Sequence, residues 1–240
     1  MQARQGAARN NWFGARMTRI KICGITNPED ARDAVLLGAD AIGLNFHPKS
    51  VRAIDASAAA EILDSLPTLI SVVGIFVDRP DPQELEDFAA SVGLHAVQLH
   101  GGESPDYCSM IQRVKVIKAI RVDTEFRVES LRSYGDRTFL LDTATPAGFG
   151  GTGAVFDWSR AYGANAFGSI VIAGGLTPDN VGEAVSTLHP FAVDVSSGVE
   201  SKPGKKDYDK MRRFIEAVRR TDVELLGRPR SAQSREEEGP

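Results

Sequence analysis

Three short stretches place reactive side chains where an apolar run gives way to a turn. Lys21-Ile22-Cys23-Gly24-Ile25-Thr26 delivers a thiol, Leu140-Leu141-Asp142 a carboxyl, and Ala173-Gly174-Gly175-Leu176 a pair of glycines. Each run reads as a β-strand, and the three read as one active site built from three strand ends. Two more runs end on polar residues, at His100 and at Asp194-Val195-Ser196. The sharpest signal is for phosphate. Gly174-Gly175 and Ser196-Ser197-Gly198 let backbone N–H groups approach an anion, and a following helix N-terminus adds favourable partial charge. Arg52, in His47-Pro48-Lys49-Ser50-Val51-Arg52, is a candidate clamp for a carboxylate, because guanidinium donors match both oxygens of that group. Each residue also has a plainer reading. Cys23 suits a small buried hydrophobe, Asp142 a loop cap, His100 a structural histidine and Arg52 a solvated side chain; both glycine loops could be tight turns. The glycine-rich loop 147–153 could close over a substrate or stay solvated with no role.

The elements that must hold these residues repeat along the chain. Apolar runs rich in Val, Ile and Leu occupy residues 19–25, 41–46, 70–77, 96–100, 116–120, 138–142, 170–174 and 191–196. Such runs suit parallel strands covered on both faces. Between them, Asn27-Pro28, Asp81-Pro82, Ser104-Pro105 and Thr177-Pro178 each pair an N-cap residue with a proline at the first helical position. Glu84 stands at capping-box spacing from Asp81. Gly38 and Gly93 suit helix stops, where a left-handed cap needs no Cβ. The pattern predicts helices over 28–37, 56–65, 82–91, 105–113, 124–133, 157–166, 178–187 and 207–220. Alternating strands and helices of this number predict an α/β fold, a single (β/α)8 TIM barrel with a parallel eight-stranded core. The alternative is a doubly wound open sheet, but no Gly-x-Gly-x-x-Gly follows the first strand. In a barrel, Cys23, His100, Asp142, Asp194 and Ser196 would all meet at the C-terminal mouth.

Composition bounds the rest. The chain has 240 residues, 42% hydrophobic and 25% charged, as in ordinary soluble globular proteins. A net charge of −4 gives no reason to expect nucleic acid or an anionic membrane as partner. Cys23 and Cys108 have neither metal-ligand spacing nor a disulfide framework, which fits a reducing cytosol. No apolar run approaches the roughly 18 residues of a membrane span. Residues 1–17 read as a disordered extension, 18–220 as the barrel and 221–240 as a disordered tail. A monomer and a homodimer are both open.

The motifs KICGIT (21–26), VQLHG (97–101), LLDT (140–143) and DVSSGVE (194–200), in this order and spacing, resemble the phosphoribosylanthranilate isomerase family of tryptophan biosynthesis. The resemblance spans about residues 19–219 and leaves out both terminal extensions. It implies a cofactor-free, metal-free Amadori rearrangement of N-(5-phosphoribosyl)anthranilate to 1-(2-carboxyphenylamino)-1-deoxyribulose 5-phosphate. On the family pattern Asp142 is the general acid on the furanose ring oxygen and Cys23 the general base on the C2′ proton. Arg52 matches the contact to the anthranilate carboxylate, His100 and Asp194 fall among the substrate-binding positions, and Gly174, Gly175, Ser196, Ser197 and Gly198 match the phosphate site. An ordinary carboxyl is protonated about once in a thousand at pH 7, so an aspartic acid donor needs a raised pKa. A thiol base needs the opposite, and Lys21 or the helix after Asn27 could favour the thiolate. Lys21 could instead pair with a strand-end carboxylate such as Asp194.

Other phosphosugar barrels fit less well. An indoleglycerol-phosphate synthase would want a lysine and glutamate set on early strands, and a ribulose-phosphate epimerase would want metal-binding histidines at strand ends. A histidine-pathway isomerase acting on a bisphosphate would want a second phosphate loop after the third strand. That loop reads Asp78-Arg79-Pro80-Asp81, with two acids and no glycine. A barrel that only binds a phosphorylated ligand predicts loss of the acid or base, yet both are present.

Overall fold

Strand formation follows the apolar runs closely. β1 (Arg19–Cys23), β2 (Ala41–Asn45), β3 (Ser71–Phe76), β4 (Ala96–Leu99), β5 (Lys115–Val122), β6 (Arg137–Thr143), β7 (Gly168–Ile172) and β8 (Ala192–Val195) pair in sequence order, and β8 returns to β1 to close a parallel barrel. The protein is described by a computed structural model over residues 17–143 and 155–227. The loop 147–153 and most of both terminal extensions therefore lie outside the described residues.

The expected caps form at three of the four Asx/Ser-Pro sites. The Asn27 side chain accepts from Asp30 N at 2.9 Å to start α1 (Pro28–Leu36). Asp81 accepts from Gln83 N at 2.7 Å at the start of α3 (Pro82–Val92), and Ser104 accepts from Tyr107 N at 3.1 Å at α4 (Pro105–Met110). Asp55 caps α2 (Ala56–Asp64) in the same way, although no proline follows it. Gly93 ends α3 with φ of 81°, the left-handed cap that favours glycine.

Four helix expectations need correction. Thr177 caps no helix: its N–H donates to Asn180 Oδ1 at 2.8 Å, and α5 starts only at Val181 and runs to Leu188. Residues 124–133 form no α-helix; Asp123 captures Glu125 N, and a 3₁₀ helix follows at Val128–Tyr134. Residues 157–166 split into two 3₁₀ turns, Trp158–Ala161 and Ala164–Ala166, because Gly163 enters the left-handed region at φ 79°. α4 stops at Met110, where the Glu86 carboxylate takes the N–H groups of Gln112 and Arg113. In the other direction α6 (Tyr208–Leu226) runs past residue 220, since buried Asp222 accepts from Thr18 N at 2.9 Å and Thr18 Oγ1 at 2.7 Å. The boundary expected at 220 therefore falls inside a helix.

The core has two parts. A large apolar layer lies between strands and helices, with Ile20, Ile22, Leu99, Phe139, Leu141 and Phe214 fully enclosed. Inside the barrel a smaller set, Ala119, Leu140, Val171, Ala173 and Ala192, fills the β5–β8 side. The β8–β1–β4 side of the same interior is polar instead, occupied by buried Lys21, Gln98 and Asp194. Side chains two apart on a strand share a face. So Lys21 lies below Cys23, Gln98 below His100, Leu140 below Asp142 and Ala192 below Asp194.

Candidate active site

The barrel register sets Lys21 opposite Asp194, and the two close a salt bridge of 2.8 Å with both side chains almost enclosed. Lys21 Nζ also donates to Gln98 Oε1 at 3.0 Å. Gln98 Nε2 lies 2.7 Å from His100 Nδ1, and His100 Nε2 lies 3.1 Å from Asp142 Oδ2. One continuous chain of polar contacts thus runs from the strand beneath Cys23 to Asp142, across the floor of the mouth. In the β5–β6 register Arg121 stands beside Asp142. Lys21 thus pairs with Asp194, and the same ammonium also acts on the Cys23 thiol in favour of the thiolate.

Cys23 is half-buried and surrounded by charge. Burial pushes its thiol pKa up, and Asp194 pushes the same way; the Lys21 and Lys206 ammonium groups act against them without prevailing. This corrects the expectation of a depressed thiol. The same thiol sulfur, once ionised, favours the charged forms of Lys21, Arg52 and Lys206. Those three cations face two carboxylates, Asp194 and Glu200, so a thiolate would complete the local charge balance. Gly43 on β2 leaves the thiol its room: a Cβ there would meet Cys23 Sγ at 2.8 Å.

Arg52 lies in the loop after β2 and is committed to a partner within the protein. Its Nε and Nη2 bond both oxygens of Glu200 at 2.7 Å each. Glu200 in turn accepts from Lys206 Nζ at 3.0 Å. Burial alone would raise the Glu200 pKa; the hydrogen bond from Arg52 and the charge of Lys206 overcome it and hold the carboxyl below its ordinary value. Glu200 and Lys206 belong to a hairpin, β9 (Glu200–Lys202) and β10 (Lys205–Lys206). It is fastened to the loop after β1 by Thr26 Oγ1 donating to Gly204 O at 2.6 Å, and to the first turn of α1 by Lys206 N donating to Asp30 Oδ2 at 2.7 Å.

The two glycine-rich loops converge. Gly198 packs so tightly on the loop after β7 that a Cβ would fall 1.9 Å from Leu176 O. Gly174 and Gly175 both take positive φ, 80° and 66°. A Cβ on Gly174 would strike Thr143 N at 2.4 Å and Asp142 Oδ1 at 2.5 Å, so this glycine borders the carboxyl as well as the loop after β7. Gly175 O accepts from Asn180 Nδ2 at 3.0 Å. Ser197 and Gly198 lie in a single 3₁₀ turn, Ser197–Val199, directly after Ser196, whose carbonyl accepts from Lys206 Nζ at 3.2 Å. Gly24, with φ of 73°, joins the two halves: a Cβ there would meet Arg52 Cδ at 2.4 Å and Ser196 Oγ at 3.0 Å.

The structure thus gathers Cys23, Arg52, His100, Asp142, Asp194 and both glycine loops at one end of the barrel. Sequence reasoning assigned no role to Gly43, Gln98, Glu200 or Lys206. Gln98 and Glu200 lie inside the stretches VQLHG and DVSSGVE, and a polar residue two before His100 on a buried strand was the available signal. Gly43 and Lys206 carried none, because their importance depends on contacts between distant strands and loops.

A closed parallel eight-stranded barrel with a thiol, a carboxyl and paired glycine loops at one mouth is a TIM barrel whose polar groups gather where such barrels hold their active sites. The sequence profile of N-(5'phosphoribosyl)anthranilate (PRA) isomerase matches residues 20–217. The chain is 50% identical over 199 residues to the N-(5'-phosphoribosyl)anthranilate isomerase of Geobacter sulfurreducens, covering 83% of this chain and 97% of that one. The crystal structure of the Thermotoga maritima phosphoribosyl anthranilate isomerase superposes with a TM-score of 0.80 at 47% identity, over 85% of this chain and 99% of that chain. A phosphoribosyl anthranilate isomerase in complex with reduced 1-(o-carboxyphenylamino)-1-deoxyribulose 5-phosphate superposes at 0.76 with 44% identity, over 85% of this chain and 99% of that one. This chain belongs to the phosphoribosylanthranilate isomerase family.

Proposed function

We propose that the protein converts N-(5-phosphoribosyl)anthranilate to 1-(2-carboxyphenylamino)-1-deoxyribulose 5-phosphate in tryptophan biosynthesis, with Asp142 as general acid and Cys23 as general base. The observation that carries this reading is the floor of the mouth. There Lys21, Gln98 and His100 link the strand of Cys23 to Asp142, next to two loops that pack on each other through Gly198.

Asp142 donates its proton to the furanose ring oxygen, the C1′–O bond breaks, and the anilino nitrogen supplies the electron pair that makes an iminium. The cation beside C2′ acidifies the C2′ proton. It also adds positive charge near the thiol, which offsets the burial that otherwise disfavours thiolate. Cys23 then takes the C2′ proton, the electrons neutralise the iminium, and the enolamine tautomerises to the ketone. No redox partner is needed. The glycine loops hold the phosphate through backbone N–H groups.

With Glu200 on Nε and Nη2, Arg52 retains Nη1 for the anthranilate carboxylate, while Glu200 holds the fork in a single orientation. Asp194, beside the mouth and paired with Lys21, contacts a ribose hydroxyl. Free Cys23 and Cys108 suit a reducing cytoplasm, and a homodimer is consistent with the dimeric Thermotoga maritima enzyme.

The test is fluorescence decay of phosphoribosylanthranilate generated in situ, with wild type, Cys23→Ala and Asp142→Asn compared directly. The expected result is rapid decay with wild type and losses on the order of 10³-fold with either variant. No decay with folded wild-type protein would refute the assignment.

A further inference from the structure

We propose that Gln98 is a positioning residue: held by Lys21, it fixes His100 as the Nε2–H tautomer, and His100 in turn directs the acidic proton of Asp142 to Oδ1. The proposal rests on the reading of Asp142 as the general acid.

The argument follows donors and acceptors along one chain. An ammonium has only donors, so the Gln98 atom 3.0 Å from Lys21 Nζ must be the amide oxygen. That orientation is locked, because Gln98 is buried and Lys21 is itself anchored at 2.8 Å to Asp194. The amide nitrogen is then the group 2.7 Å from His100 Nδ1, and it brings a hydrogen. A hydrogen on Nδ1 would set two donors against each other. Nδ1 therefore carries the lone pair, and the ring hydrogen sits on Nε2, 3.1 Å from Asp142 Oδ2.

The consequence falls on the acid. With Nε2–H filling Oδ2, the proton of a neutral Asp142 carboxyl belongs on Oδ1. That oxygen borders Gly174, the position where a Cβ would approach it to 2.5 Å, and so faces the anion-binding side of the mouth. In the opposite tautomer a bare Nε2 would draw the carboxyl proton onto Oδ2, away from the substrate. A wrong tautomer beside a catalytic group can cost far more than a lost hydrogen bond.

The experiment is a long-range ¹H–¹⁵N correlation spectrum of the full chain labelled with ¹⁵N-histidine, the His100 signals being assigned with His100→Asn. Wild type should show a protonated Nε2 and an unprotonated Nδ1. Gln98→Glu keeps an acceptor for Lys21 but offers another to the ring, and should move the hydrogen to Nδ1. Gln98→Met, isosteric and without polar atoms, should lose the single tautomer. In steady-state assays both variants should lower kcat at least about tenfold while KM stays within about twofold, the split expected when only the chemical step is harmed.

A protonated Nδ1 in the wild type overturns the proposal, as does wild-type kcat in a folded Gln98 variant. If Gln98→Met fails to fold, the wild-type spectrum and Gln98→Glu decide the matter. Asp142→Asn in the same assay separates this idea from its parent. Activity there would remove the acid role and leave the tautomer to stand on the spectrum alone.

Discussion

The two walls of the mouth hold their reactive groups by different means. Around Cys23 the wall is ionic: Lys21, Arg52 and Lys206 face Asp194 and Glu200. Around Asp142 an imidazole, backed by an amide, is a direct side-chain partner. The difference matches the two roles proposed for these groups. A thiol that must ionise before it can take a proton gains from cations that stabilise the thiolate. An acid must present a proton in one direction, and a ring nitrogen fixed by a neighbour can set that direction without a formal charge. Lys21 serves both walls, donating to Asp194 on one side and to Gln98 on the other.

The comparison is broken most severely on the acid wall by Gly174→Ala. The added methyl needs space already taken by Thr143 N and Asp142 Oδ1, and the position has φ of 80°. Displacing a catalytic carboxyl by about 1 Å can cost on the order of 100-fold, so kcat should fall by about that factor. KM should also rise if the loop holds the phosphate as proposed. Steady-state kinetics on the folded variant measures both.

A smaller effect sharpens the ionic wall. Lys206 is fully enclosed and favours the thiolate of Cys23, although burial and Asp194 keep the thiol pKa raised overall. In Lys206→Met that favourable charge is gone, so the thiol becomes harder to ionise. The limb of kcat/KM that depends on thiolate should move to higher pH, with the rate at neutral pH within about tenfold of wild type. An unmoved limb would detach Lys206 from the base. The rest of the profile should keep its shape, since Asp142 lies on the other wall.

The strand pattern and mouth residues were legible because parallel strands buried on both faces read as continuous apolar runs, and four of them carry a residue unlike the run near the end, at Cys23, His100, Asp142 and Asp194-Val195-Ser196. Caps at Asn27, Asp81 and Ser104 were legible because the cap and the first helical position are adjacent in sequence. The failures have local physical causes. Thr177-Pro178 resembles those caps, but Asn180 captures the Thr177 N–H and delays the helix. Gly163 interrupts an otherwise helical pattern, and Glu86, from a neighbouring helix, ends α4 early through backbone groups 26 and 27 residues away. Within the site, a one-residue view of Arg52 showed a free guanidinium. Its partner Glu200 is 148 residues distant, and only the closed barrel brings the two together.

The pH dependence of kcat/KM for wild type and Cys23→Ser, measured side by side, tests the account most directly. For a base, a raised pKa means that the active thiolate appears only at higher pH. The free-enzyme limb should therefore rise on the alkaline side of the ordinary thiol value of 9.0. The serine variant should lose that limb and fall on the order of 10³-fold. A serine variant that keeps both the wild-type rate and the wild-type profile would contradict the assignment of Cys23 as the base.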